Sequence, residues 1–353
     1  MEIKIFTTIE QNIINDWMSL WQRSHLANYT NSPLWFLALL ESFHYTNYRI
    51  IAIYKEKQLI ALSALVKKRK YGLSFSTLPL SDYICGNPFL LDLRDEKVVS
   101  LMIKEWLNLG NILFINIPVD TVTALQQQTI SFDAIPEAYH FTLALSRDID
   151  GNPIIPNRKK LMHKVRDYED QVTLKSYDGT ETKALELAFA IDAKSRKNTR
   201  GYSSFADKTI QNMYRSLARN FKERMRINIL SYGKKQIAYE IGFQIGTTYY
   251  GSQLAFHETY ANIAPEKIMY VKLFEYLAAK GIQYIDFGSG DSHLKRAVTH
   301  DYDLLYQIII SNNHLVRQYI TLIRTIRVTL FHKLQKYNHI YAWYKKAKKG
   351  VSA

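Results

Sequence analysis

With 353 residues the chain is too long for one ordinary core, and two domains are expected. A hydrophobic content of 47% and a charged content of 22% exclude a disordered polymer, and the single cysteine, Cys85, excludes an intrachain disulfide framework and fits a reducing compartment. The net charge of +14 is concentrated at one end: nine basic residues, from Arg317 to Lys349, follow Asp303, and no acidic residue does. Such a block suits an anionic surface, whether phospholipid, nucleic acid or an acidic partner.

The first ten residues lack a basic region followed by a long apolar run, so no secretory signal is expected. No window reaches the roughly 18 uninterrupted apolar residues of a membrane span. A cytoplasmic protein is expected, and peripheral attachment at the inner face of the membrane stays open.

Residues 9–25 carry Ile13, Ile14, Trp17, Leu20 and Trp21 at helical spacing. Ser32-Pro33 opens a second helix with a capping residue and a proline at its first position. Strands are expected at Tyr48–Tyr54 and Leu59–Val66 around the polar turn 55–58, and at Leu73–Leu78. Asp95–Leu109 reads as a helix, Ile112–Ile117 as a strand and Phe141–Leu145 as another. The turn residues of 148–153 form the best linker.

Beyond the linker a similar order begins again. Pro156–Asp170 reads as a basic helix, Val172–Tyr177 as a strand, and Thr182–Lys197 and Asp207–Phe221 as helices. A meander at Arg226–Ser231, Gln236–Ile245 and Tyr249–Ala255 precedes a helix at Pro265–Lys280. Strands at Tyr284–Phe287 and Leu304–Ile310 close this half. From Leu315 onward Ile323, Ile326, Leu330, Leu334, Tyr337 and Tyr341 recur at helical spacing among basic residues. An amphipathic helix follows, docked either on the body of the protein or on an anionic membrane.

Glu105–Pro118 aligns with Glu275–Gly288 at a constant offset of 170 residues, each a helix, a tight connection and a short apolar strand. The expected organisation is a tandem duplication, with domains at 1–150 and 151–312 and a helical tail at 313–353. Asn116-Ile117-Pro118-Val119-Asp120 stands in the first copy where Asp286-Phe287-Gly288-Ser289-Gly290 stands in the second. Proline and valine cannot make the glycine turn, so chemistry is expected in the second copy. There Asp286, Asp291, Lys295 and Arg296 gather at a strand end, as in a reacting centre or a capped helix with solvated charges.

The motif Asp286-Phe287-Gly288-Ser289-Gly290-Asp291, followed by Lys295, resembles the CelD-like group of acetyltransferases in the GNAT superfamily, named after a protein encoded with cellulose-synthesis genes. Pro33-Leu34-Trp35, Ser81-Asp82-Tyr83 and Arg158-Lys159-Lys160-Leu161 extend the resemblance over most of residues 30–310. It implies an α/β (α+β) chain of two GNAT-like units, each a mixed, mostly antiparallel sheet flanked by helices. Fem-type aminoacyl transferases are similar in architecture. The implied reaction is N- or O-acyl transfer from acetyl-CoA or another acyl-CoA to a sugar or cell-surface polysaccharide intermediate, without a metal.

Under that resemblance Asp286 serves as base or orients the acceptor. Asp291 assists or caps the next helix, and Lys295 neutralises a phosphate or the oxyanion or is a solvated lysine. Ala264, Lys267, Gly288 and Gly290 would contact the acyl-CoA. The loop 257–267 departs from the pattern: it has no glycine, and Ala264-Pro265-Glu266 replaces the usual Ser-Pro-Gly, setting a carboxylate at the helix start. Two other functions fit the residues: a Fem-like transferase using aminoacyl-tRNA, and a non-catalytic scaffold of polysaccharide assembly. Glu240 is expected in a hydrogen-bonded core, and His293 lies outside the signature.

Overall fold

In the computed structural model, which describes residues 1–335 apart from Cys85, residues 149–152, Pro156, Lys164 and Val165, the two halves repeat one succession of elements. The first runs β1 (Glu2–Phe6), α1 (Gln11–Arg23), α2 (Pro33–Phe43), β2 (Tyr48–Lys55), β3 (Gln58–Lys70), β4 (Leu73–Thr77), α3 (Glu96–Asn108), β5 (Ile112–Pro118), α4 (Val119–Gln126) and β6 (Phe132–Ala144). A small hairpin of β7 (Ser146–Arg147) and β8 (Pro153–Ile154) and the short α5 (Arg158–Met162) lead into the second. That half runs β9 (Val172–Asp178), α6 (Thr182–Ala193), α7 (Arg196–Thr199), α8 (Lys208–Phe221), β10 (Met225–Tyr232), β11 (Lys235–Ile245), β12 (Thr248–Phe256), α9 (Pro265–Ala279), β13 (Tyr284–Ser289), α10 (His293–Val298) and β14 (Tyr302–Ile310). Helix α11 (His314–Gln335) follows; residues 336–353, including Tyr337 and Tyr341 of the expected stripe, lie outside the described residues.

Local chemistry explains the boundaries. Ser32 accepts the amide of Trp35 and Pro33 fills the first helical position, as expected for α2. Asp95 and Asp207 cap α3 and α8 in the same way. Glu56 and Lys57 both take positive φ, the conformation of a two-residue hairpin turn between β2 and β3. The helix expected to reach Lys197 stops at Ala193, because Ser195 turns extended, bridges His257 and caps the separate α7. In place of one basic helix over Pro156–Asp170, α5 is followed by a 3-10 segment, Arg166–Gln171.

Among the described residues the strands form a sheet of twelve in the order β1-β2-β3-β4-β5-β14-β6-β13-β12-β11-β10-β9. The order reads the same from either edge once corresponding strands are matched, with β1 answering β9 and β5 answering β13. The two units exchange their last strands: β14 lies between β5 and β6, and β6 between β14 and β13. Strand β6 begins nine residues before the expected Phe141, and Pro136 is accommodated where its register with β14 shifts between Leu305 and Tyr306. The sheet is antiparallel except at β4–β5 and β12–β13. Helices α6 and α8 cover one face of the second half through Leu185, Tyr214 and Leu217, and α9 covers the other through Ile268, Val271 and Phe274.

Candidate active site

The parallel pair β12–β13 is hydrogen-bonded only from Thr248–Tyr284 to Tyr250–Asp286; past that point the strands part. Asp286 is the last residue before the divergence. Strand alternation sends Ile285 and Phe287 into the core under α9 and turns the buried Asp286 to the opposite face. His140, carried there by the exchanged β6, donates from Nε2 to Asp286 Oδ1 at 2.8 Å. The amide of Gly288 donates to the same oxygen at 2.7 Å. Burial pulls the His140 imidazole down, but the charge and hydrogen bond of Asp286, helped by Asp303, outweigh it; despite Lys295, its pKa is raised.

The turn after Asp286 takes the conformation that glycine permits, with φ of 68° at Gly288 and 97° at Gly290. The Lys295 ammonium donates to the carbonyls of Gly288, Ser289 and Gly290 at 3.1, 2.9 and 3.1 Å, closing the turn from within. The Gly290 amide donates to Tyr139 O on β6 at 2.9 Å. Asp291 points away into an exposed pair with Arg296 at 2.6 and 2.8 Å. It does not cap α10; Ser292, one residue later and already extended, accepts the Lys295 amide instead. Asp286, Gly288, Gly290 and Lys295 therefore form one unit, to which Asp291 adds an outer brace.

Loops of the first half lie over the carboxylate. A side-chain β-carbon at Gly86, whose φ is 65°, would lie 3.9 Å from Asp286 Oδ2 and 3.4 Å from Asn28 Nδ2, so this loop packs at van der Waals distance over the carboxylate. Asn28 and Asn31 fix this segment by donating to Asn87 O at 2.7 and 3.0 Å, and their own carbonyls accept the Trp21 and Trp17 indoles. Tyr29 stacks on Phe243 at 4.3 Å between centroids. Asn116, which corresponds to Asp286, has φ of 62° and donates to Ser81 O at 3.0 Å, so it ties the segment after β4 to the end of β5.

On the other face the divergence is floored by Glu240. Its Oε2 accepts from Tyr249 at 2.5 Å and from Asn228 at 2.7 Å. Burial pushes this carboxyl up to about 7, against the two hydrogen bonds. Gly242 and Gly251 make room: a β-carbon at Gly242 would meet the Tyr249 ring at 2.3 Å, and one at Gly251 would lie 3.5 Å from Glu240 Oε1. The Lys197 ammonium donates to Leu254 O on β12 at 2.6 Å, and burial lowers its pKa against the charge of Asp192.

Ala264 and Lys267 belong to the wall formed by α9, whose Tyr270 packs against Phe287 at 5.5 Å. Ala264 is left-handed with φ of 48°, and the Lys267 amide is spent on Ala264 O at 3.0 Å. Glu266 Oε2 is buried without a hydrogen-bond partner, and burial raises the carboxyl's pKa.

His140, Lys197, Asn28 and Gly86 were not among the candidates read from the sequence. His140 lies 146 residues from its partner, and only the strand exchange brings them together. Lys197 carried no signal beyond its place at a helix end.

Residues 157–296 match a family model described as an acetyltransferase (GNAT) domain. No curated protein matches the chain. Among solved structures, FemX is 11% identical with a TM-score of 0.63, over 91% of this chain and 100% of that one. The C-terminal domain of a putative lysylphosphatidylglycerol synthetase from Agrobacterium fabrum is 9% identical with a TM-score of 0.58, over 89% and 96%. L-PGS from Bacillus licheniformis is 11% identical with a TM-score of 0.54, over 83% and 96%. At such identities the likeness is one of fold. The stretch from Asn157 to Arg296, which holds the divergent strands and Asp286, thus carries the pattern of an acetyltransferase (GNAT) domain, set in a fold shared with FemX over nearly the whole chain.

Proposed function

We propose that the chain is an acyltransferase that moves an acyl group from an activated carrier to an amine or hydroxyl, with the acceptor's proton taken at the Asp286–His140 pair. The observation that supports this best is the position of that pair at the end of β13, where β12 and β13 part. Acyl transfer needs a base for the attacking group and positive charge near the carbonyl oxygen. With Nε2–H engaged by Asp286, Nδ1 is the ring nitrogen left to take a proton, and the carboxylate then stabilises the imidazolium. Lys197 of α7, held against β12 at Leu254 O, supplies a cation suited to the developing oxyanion.

Ala264, Lys267, Gly288 and Gly290 are the contacts that the resemblance assigns to an acyl-CoA. The start of α9 does not fit its pyrophosphate, because the buried, unpartnered carboxylate oxygen of Glu266 faces the first turn where a cradle of free amides would be needed. That carboxylate instead favours a second reading of the donor, an aminoacyl ester on tRNA, whose ammonium would pair with Glu266. The motif from Asp286 to Lys295 favours the CelD-like group, and with it a sugar or polysaccharide intermediate as acceptor and a cytoplasmic enzyme.

The test is a matched panel of acetyl-CoA, longer acyl-CoAs and charged tRNA, read by thermal shift and by mass spectrometry of amine and hydroxyl acceptors. Acyl transfer from one donor class, lowered about 100-fold or more in His140→Gln with its fold intact, is the expected result. Full turnover in His140→Gln would overturn the assigned base. Salt-sensitive binding of tRNA, with none of acyl-CoA, would select the second donor.

A further inference from the structure

Helix α11 has two faces of opposite character. Its inner face packs Val316 and Ile320 onto Phe75, Leu113 and Ile309 of the sheet. Arg317 and Arg324 on this side are neutralised by Asp133 and Glu137 of β6. Its outer face carries Leu315, Tyr319, Leu322 and Ile326, exposed by 72%, 46%, 58% and 49%. Their spacing of four, three and four residues places them in one stripe. Four large apolar side chains in line on solvent mark an interaction surface.

The neighbour of this stripe is basic. The Tyr319 hydroxyl donates to Tyr71 O at 3.4 Å, which sets α11 beside the turn between β3 and β4. That turn follows Lys67-Lys68-Arg69-Lys70, of which Lys68 and Lys70 stand opposite Phe75 and Leu73 in the register and so share the sheet face that α11 covers, Lys68 being exposed. The basic run of the tail continues from the same helix, through Arg327 and Lys333 to Lys349, without an acid. Lys68 and Lys70 thus set cations on the sheet face from which the apolar stripe projects.

We infer that the outer face of α11, with the end of β3, is a docking surface for an anionic phospholipid bilayer. Leucine and isoleucine in a row choose this occupant over nucleic acid, which would be met by polar and cationic groups tracking phosphates. The surrounding cations choose an anionic bilayer over a neutral one. The helix would lie in the interface and not cross it, since no described helix is long and apolar enough to span. This inference is independent of the assignment of the active site.

The experiment is flotation of the whole chain with vesicles of phosphatidylglycerol and phosphatidylcholine, or of phosphatidylcholine alone. Binding is expected only with the anionic vesicles, and is expected to fall as salt is raised. The double variant Leu322→Glu/Ile326→Glu should bind at least tenfold more weakly. Lys68→Glu/Lys70→Glu, a change on a different element, should weaken binding by about fivefold or more for each charge reversed. Unchanged melting temperatures in both variants would show that the losses are local. Equal binding by the wild type and both variants, or no binding to anionic vesicles, would overturn the proposal. So would a dimer in solution that Leu322→Glu/Ile326→Glu dissociates, because a second copy would then cover the stripe.

Discussion

The ends of β5 and β13 occupy corresponding places in the two units and do opposite things. At β5 the polar residue is Asn116, whose amide is committed to the Ser81 carbonyl, and Pro118 leads straight into α4. At β13 it is Asp286, whose one oxygen holds His140 and the Gly288 amide while the other lies beside Gly86. An amide satisfied by a carbonyl of its own half stabilises; a carboxylate paired with an imidazole can exchange a proton. Under the proposed function, two glycines and one change from amide to acid separate a supporting strand end from a reacting one.

This contrast can be broken most directly at its acid. Asp286→Asn should lower acyl transfer by a factor of roughly 10² to 10⁴, whereas Asn116→Asp should leave the rate untouched and lower the melting temperature, which kinetics and calorimetry on both variants would show. The pH profile sharpens it next. A base that must be neutral to act, and whose pKa Asp286 raises, gives a rate that climbs with pH through a midpoint above the ordinary histidine value; in Asp286→Asn the midpoint should fall. The linked stability has the reverse sign: the His140 contribution is complete below the unfolded-state histidine pKa and is lost as pH rises through the raised one. Glu240 adds to that loss from about pH 4.5 to 7, since its carboxyl is protonated in the folded state over that range and ionised in the unfolded state; Glu240→Gln should flatten the slope.

Smaller effects follow from the turn. Gly288→Ala and Gly290→Ala force an ordinary residue into left-handed backbone and should each cost about 1–2 kcal/mol, seen as a lower denaturant midpoint. Lys295→Met removes an ammonium shared by three carbonyls and should cost about 1–3 kcal/mol, with a fall in rate that tracks loosening of the turn and not loss of a phosphate site. Asp291→Ala, which opens an exposed pair, should leave rate and melting temperature unchanged within error.

Much of this was legible in the chain itself. The cap at Ser32, the apolar strand running into Asp286 and the glycines after it all depend on neighbours within a few residues, and each appears where expected. Asp291 and Ser292 are both good capping residues, and only the backbone decides between them. What escaped depends on distant pairing. Strand β6 hides behind Pro136 and polar neighbours because its partners come from the other half, and His140 has meaning only beside β13. Lys197 was masked by an apparently continuous helix that Ser195 interrupts.

The exchanged strands have a consequence for the birth of the molecule. During synthesis β5 and β6 leave the ribosome long before β13 and β14, the strands that cover their edges, are made. The leading half must wait with one edge of β5 and both edges of β6 without their final partners, the state most open to wrong association. Completion depends on strand pairs 140 or more positions apart, a connectivity that slows folding. Once β14 has slid between β5 and β6 the chain is interlocked, and neither half can open without breaking the sheet at its centre. Slow assembly and slow disassembly should therefore go together, and the Asp286–His140 pair forms only when β13 has docked on β6.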